Sequence, residues 1–149
     1  MKNGNKIILA EEQIKSIAED LDIGMQVYVN LETMEIKTII DTLQHFDVDT
    51  ETWEEDINEI EKNFDKYFEF EKMDSRESFR VMEEFVETVE DKRLREKLEL
   101  GLSLSKPFRN FKDIIDDENE YRKLWFKFRD SRNIEFVKGQ IERHNKSVQ

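Results

Sequence analysis

No cysteine occurs among the 149 residues. That excludes a disulfide framework, a thiol nucleophile and a thiolate metal site, and it fits a reducing compartment. Histidine is nearly as scarce: His45 and His144 stand far apart, with no His-x-x-x-His pair to hold zinc. Proline occurs once, at Pro107, and glycine four times, so the chain has few breakers and no flexible linker. No apolar run approaches the roughly 18 residues of a membrane span, and Ile7–Ala10 is too short for the apolar region of a secretory signal. These absences favour a cytoplasmic address and no membrane partner. Catalytic signatures are missing as well. There is no glycine-rich phosphate loop and no Gly-x-Ser-x-Gly elbow.

What is present is charge. Charged residues make up 40% of the chain, against about 25% in ordinary globular proteins, and the net charge is −12. The excess is uneven. Residues 1–75 hold 7 Lys, no Arg and 20 Asp/Glu, a net of −13, whereas residues 76–149 hold 17 Lys/Arg and 16 Asp/Glu, a net of +1. The densest stretch, residues 41–74, carries 3 Lys against 13 Asp/Glu. Such a surface suits a basic protein partner and disfavours a phosphate backbone, although a local basic cleft would still accept nucleic acid. Eleven phenylalanines and clear periodicities supply a core and argue against disorder.

The periodicities predict an α+β fold, mainly helical, with a small antiparallel hairpin or three-stranded sheet. The expected organisation is a flexible leader over 1–9, a single domain over 10–143 and a frayed tail over 144–149. Ile14, Ile17, Ala18 and Leu21 mark an amphipathic helix from Ala10 to Asp22, stopped by Gly24. Met25, Val27 and Val29 alternate in one strand, and Ile36, Thr38 and Ile40 in a second over Glu35–Ile40, which predicts a hairpin. Thr52 with Glu55 reads as a capping box before a helix carrying Trp53, Ile57, Ile60 and Phe64. Phe68 and Phe70 then suggest a third short strand. Asp74 with Glu77 forms a second capping box, followed by the stripe Phe79, Met82, Phe85, Val86 and Val89. Leu94, Leu98 and Leu102 repeat at four residues after a break at Glu90–Arg93. Ser105 and Pro107 open the next helix, with Phe108, Phe111 and Ile115 on its buried side. Asp117 with Glu120 can cap a last helix running toward Arg143.

The order of these elements, with MQVYVNLETMEI in the hairpin, the run Phe108, Arg109, Phe111, Lys112 and Asp113, and the run Trp125, Phe126, Phe128, Arg129 and Arg132, resembles Uncharacterised Protein Family 0158 of bacteria. The resemblance spans about Ala10 to Ile141. It implies a small cytoplasmic bacterial protein and brings no activity, cofactor or catalytic residue with it. A small residue or glycine is expected in that pattern where Lys106–Pro107 stand.

Two candidate sites emerge. Tyr121, Leu124, Trp125 and Phe128 share one helical face, with Arg132 in its middle and Arg129 at its edge. A guanidinium within an aromatic stripe needs either an internal partner or an open cleft. Arg109, Lys112, Arg129 and Arg132 could converge on a phosphate or carboxylate, with Trp125 stacked beside them and Phe126 facing a second interface. The competing reading is internal pairing with Asp113, Asp130 or the acidic first half. The second site is the acidic segment 41–74. Asp47, Asp49 and Glu51 imitate the start of a calcium loop, but Thr52 replaces its glycine and Asn58 its terminal glutamate, so no metal is expected. Together these features point to a non-catalytic binding or adaptor protein that needs no cofactor. The alternative is a small carboxylate hydrolase or nuclease with arginines as anion clamps.

Overall fold

The computed structural model describes residues 5–40 and 51–148, and within them the chain forms a mainly helical α+β structure. The elements are α1 (Glu11–Asp22), β1 (Met25–Asn30), β2 (Ile36–Ile40), α2 (Glu51–Lys62), a 3-10 turn (Phe64–Lys66), β3 (Tyr67–Phe70), α3 (Ser75–Thr88), α4 (Lys92–Ser103), α5 (Pro107–Ile115) and α6 (Asn119–Ser147). They divide into two compact units. Unit 1 comprises residues 1–72 and 133–149, and unit 2 comprises Met73–Arg132.

Unit 1 is built on a three-stranded antiparallel sheet of order β2-β1-β3. The expected hairpin forms, with Val27 opposite Thr38 and Val29 opposite Ile36. The third strand is also present, placing Phe70 opposite Val27 and Phe68 opposite Val29. Cross-strand partners share a sheet face. That face, with Val27, Val29 and Phe70, packs against Ile14, Ile17, Ala18 and Leu21 of α1 and Val137 of α6. Gly24 ends α1 with φ 91°, a conformation that glycine adopts without a Cβ clash. One phase differs from expectation. Ile39, not Ile36 or Ile40, is the fully buried residue of β2. It lies on the opposite face, the side that carries Lys37, and α2 packs against this strand.

Near the ends of unit 1, the described residues Asn5 and Ile7 bond to α6. Ile7 is 1% exposed. Its N–H donates to Asn145 Oδ1 at 2.7 Å and its carbonyl accepts from Asn145 Nδ2 at 3.0 Å, so one side-chain amide satisfies both backbone groups. His144 Nε2 lies 2.9 Å from the Asn5 carbonyl. Gln140 repeats the device on Glu71, accepting its N–H at 2.7 Å and donating to its carbonyl at 2.8 Å. Asn5 and Ile7 are thereby tied to His144 and Asn145 at the end of α6. Buried backbone groups need such partners wherever no strand is available.

Unit 2 is helical. Val81, Met82, Phe85, Val86 and Val89, with Leu94, Leu98, Phe111, Ile115 and Trp125, form its core. Asp74 and Glu77 make the expected capping box on α3, and Asp91 caps α4 through Leu94 N–H. Gly101 lets α4 and α5 approach closely, since a Cβ there would meet Ile114 Cδ1 at 3.0 Å. Asn110 seals that turn by donating to the carbonyls of Gly101 and Ser105.

Three capping roles differ from those read in the sequence. Thr52 lies within α2 instead of ahead of it. Lys106, not Ser105, stands at the α5 N-cap, with Pro107 at the first helical position. At the start of α6, the Glu118 carbonyl accepts the first helical bond from Arg122 N–H, so Asp117 is outside the cap. Lys106 adopts φ 57° and ψ 55°, the left-handed conformation that glycine takes most readily.

Candidate functional site

The aromatic half of the arginine site folds as core. Trp125 is 8% exposed and meets Phe111 at 4.7 Å and Phe85 at 5.3 Å, both edge to face. Such contacts satisfy the ring quadrupoles within unit 2. Phe128 packs on Phe85 at 5.5 Å. Two residues assigned to the buried face point outward instead: Leu124 and Phe108 are 52% and 44% exposed. A helix buries only a stripe, and on α6 Trp125 with Phe128 and Tyr121 already fills it, while Phe108 on α5 keeps an edge contact with Phe79 at 6.3 Å.

Most of the basic residues meet carboxylates. Arg132 forms an ion pair with Glu84 on α3, and its guanidinium lies 4.7 Å above the Phe128 ring. Arg129 Nη2 approaches Asp130 at 3.4 Å while its guanidinium covers Phe126 at 5.1 Å. Arg122, which the sequence reading passed over, lies 4.9 Å from the same ring. Its position four residues before Phe126 and seven before Arg129 is the helical spacing that would have revealed it. Lys112 reaches Asp116 at 3.1 Å, and Arg122 reaches the same carboxylate at 3.3 Å. The hydrogen bond from Lys112, reinforced by Arg122, holds the Asp116 carboxyl below the ordinary aspartate range. Arg109 is exposed on α5 and makes no ion pair among the described residues. Arg132 thus pairs with Glu84, 48 positions away, which is neither Asp113, Asp130 nor a residue of the acidic first half.

Of the acidic segment, residues 41–50 lie outside the described residues, and with them His45, Asp47 and Asp49 of the calcium-loop imitation. In α2, Glu54, Glu55, Asn58, Glu61 and Lys62 are exposed. Three of these, Glu55, Asn58 and Lys62, join Asp56 and Glu59 in lining a polar cleft of about 450 Å3 against the hairpin. Lys37 Nζ sits 2.9 Å from Asp56 and 3.7 Å from Glu35. The hydrogen bond to Asp56 raises the Lys37 ammonium above the ordinary lysine range. Tyr67 donates its phenol proton to Glu59 Oε2 at 2.9 Å, and Asn63 Nδ2 donates to the same oxygen at 3.1 Å. Burial raises the Tyr67 phenol above the usual tyrosine range; Asn30 opposes this and the Glu59 carboxylate reinforces it. Sequence reading missed the cleft because its groups come from β1, β2, α2 and β3. Among the described residues no group of three or more His, Asp or Glu is placed to hold a metal ion, and no helix is long and apolar enough to cross a membrane.

Neither a curated protein nor a solved structure matches the chain. A family model does, over residues 6–146: Uncharacterised protein family (UPF0158). The chain belongs to this family, and the order of elements and the two aromatic-basic runs had pointed there.

Proposed function

For this member of UPF0158 we propose a non-catalytic binding or adaptor role in the bacterial cytoplasm, with the acidic face of unit 1 docking a basic protein partner. The observation that carries the reading is the partition of charge between the units. Unit 1 holds 10 Lys/Arg against 21 Asp/Glu, a net of −11, whereas unit 2 holds 14 against 15, a net of −1. A field of one sign raises the local concentration of an oppositely charged partner and speeds encounter. In unit 2, by contrast, Arg122, Arg132 and Lys112 already have carboxylate partners, which favours the acidic face over the arginine stripe as the docking surface.

The test is titration of the full chain with a hexa-arginine peptide and, separately, with a short single-stranded oligonucleotide. The reading expects the peptide to bind and its affinity to fall steeply with salt, because exposed charges are screened over about 8 Å at physiological ionic strength. Binding of the oligonucleotide alone would transfer the role to the arginine stripe. Binding of neither would remove the adaptor reading.

A further inference from the structure

Resting on the proposal that unit 1 docks a basic partner, we infer that the cleft between α2 and the hairpin is the pocket for one arginine side chain of that partner. Its volume of about 450 Å3 is within the roughly 300–1,000 Å3 of small-ligand sites, ample for a guanidinium and its stem. Six ionisable groups besides Tyr67 line it: Glu35, Glu55, Asp56 and Glu59 against Lys37 and Lys62. The balance is two negative charges, which repels phosphates and carboxylates and attracts a cation. Lys37 is occupied by Asp56 and Glu35 and does not offset the remaining acids.

Glu59 gives the pocket its selectivity. Tyr67 and Asn63 both donate to its Oε2, while its Oε1 accepts no hydrogen bond from a described residue. The carboxylate is thus oriented before a ligand arrives, and binding loses less side-chain entropy. A planar guanidinium can donate to Oε1 with its fork while a second N–H reaches Glu55, one turn earlier on α2. Tyr67 lines the same cleft, and a guanidinium stacks on an aromatic ring more readily than an ammonium does.

The test is calorimetric titration of the full chain with hexa-arginine and hexa-lysine, using wild type, Glu59→Gln, Glu55→Gln, Tyr67→Phe and Glu61→Gln. Glu61 is exposed on α2 and is not part of the cleft lining, so Glu61→Gln measures the loss of one charge from the face. The pocket predicts hexa-arginine tighter than hexa-lysine and about a tenfold loss for Glu59→Gln, the effect of one charge-assisted hydrogen bond. It predicts smaller losses for Glu55→Gln and Tyr67→Phe, and about twofold or less for Glu61→Gln. Melting curves establish that each variant is folded, and Glu55→Gln, at an exposed position, carries the test if Glu59→Gln unfolds. Equal, small losses for the cleft variants and Glu61→Gln would overturn the pocket while leaving a diffuse docking face. Failure of wild type to bind either peptide would overturn the docking proposal itself.

Discussion

Replacing Arg132 by methionine removes the guanidinium and keeps most of the apolar stem over Phe128. The size of the loss follows from exposure. The Arg132 and Glu84 side chains are 33% and 39% exposed, between a surface pair worth about 0.2–1 kcal/mol and a buried pair whose breakage costs about 3–5 kcal/mol. Solvent reaches both partners, so the lower half of that span applies. The cation–π contact at 4.7 Å adds about 0.5–1 kcal/mol. The expected total is about 1.5–2.5 kcal/mol, or a fall in Tm of about 4–8 °C for a chain of this size. Thermal unfolding of wild type, Arg132→Met, Glu84→Gln and the double variant forms a thermodynamic cycle, with an expected coupling of about 1 kcal/mol. Additive single effects would show that the pair contributes nothing. An unchanged Arg132→Met would return that arginine to the list of candidate anion ligands.

Other perturbations test separate parts of the account. Gln140→Leu leaves the Glu71 N–H and carbonyl without their side-chain partner, which should cost about 2–4 kcal/mol; a melting temperature within a degree of wild type would contradict that. Lys106→Gly relieves a left-handed conformation costing about 1–2 kcal/mol, partly offset by the greater freedom of glycine in the unfolded chain. A net gain of about 0.5–1 kcal/mol in denaturant unfolding is expected, and a loss would refute the strain. Asp20 accepts a hydrogen bond from Thr38 Oγ1 at 3.4 Å, and burial raises its carboxyl above the ordinary range despite that bond. Folding therefore favours its protonated form, and its ionisation destabilises the fold as pH rises through the folded-state pKa. Asp20→Asn should accordingly be more stable than wild type at neutral pH, with the advantage vanishing in acid; a constant difference across pH would exclude the effect.

Regular elements were legible because their burial is periodic. Val27 and Val29 alternate cleanly, Phe68 and Phe70 repeat the pattern, and Met82, Phe85, Val86 and Val89 keep a helical stripe. The misreadings share a physical origin in partners supplied by distant segments. Ile39 is buried because helix α2 covers the second face of the strand, and a two-residue period cannot tell which face will be covered. Gln140 and His144 are polar, so they break an apolar stripe, yet they stand at i, i+3 and i+7 from Val137 and are buried with it. Polar residues in phase with an apolar face were the available signal for both. The bond between Ile7 and Asn145 was invisible because the two lie 138 positions apart. The arginine stripe was visible in the sequence, but whether each guanidinium met a carboxylate depended on α3 and on the α5–α6 turn.

The claim that unit 1 carries the docking face is tested most directly by a two-dimensional amide NMR titration of the full chain with hexa-arginine at low salt. The account predicts shift changes concentrated in Ile36–Ile40, Glu51–Lys62 and Tyr67, reversed by added salt, with 119–132 unperturbed. Changes confined to 119–132, or spread evenly over both units, would contradict it.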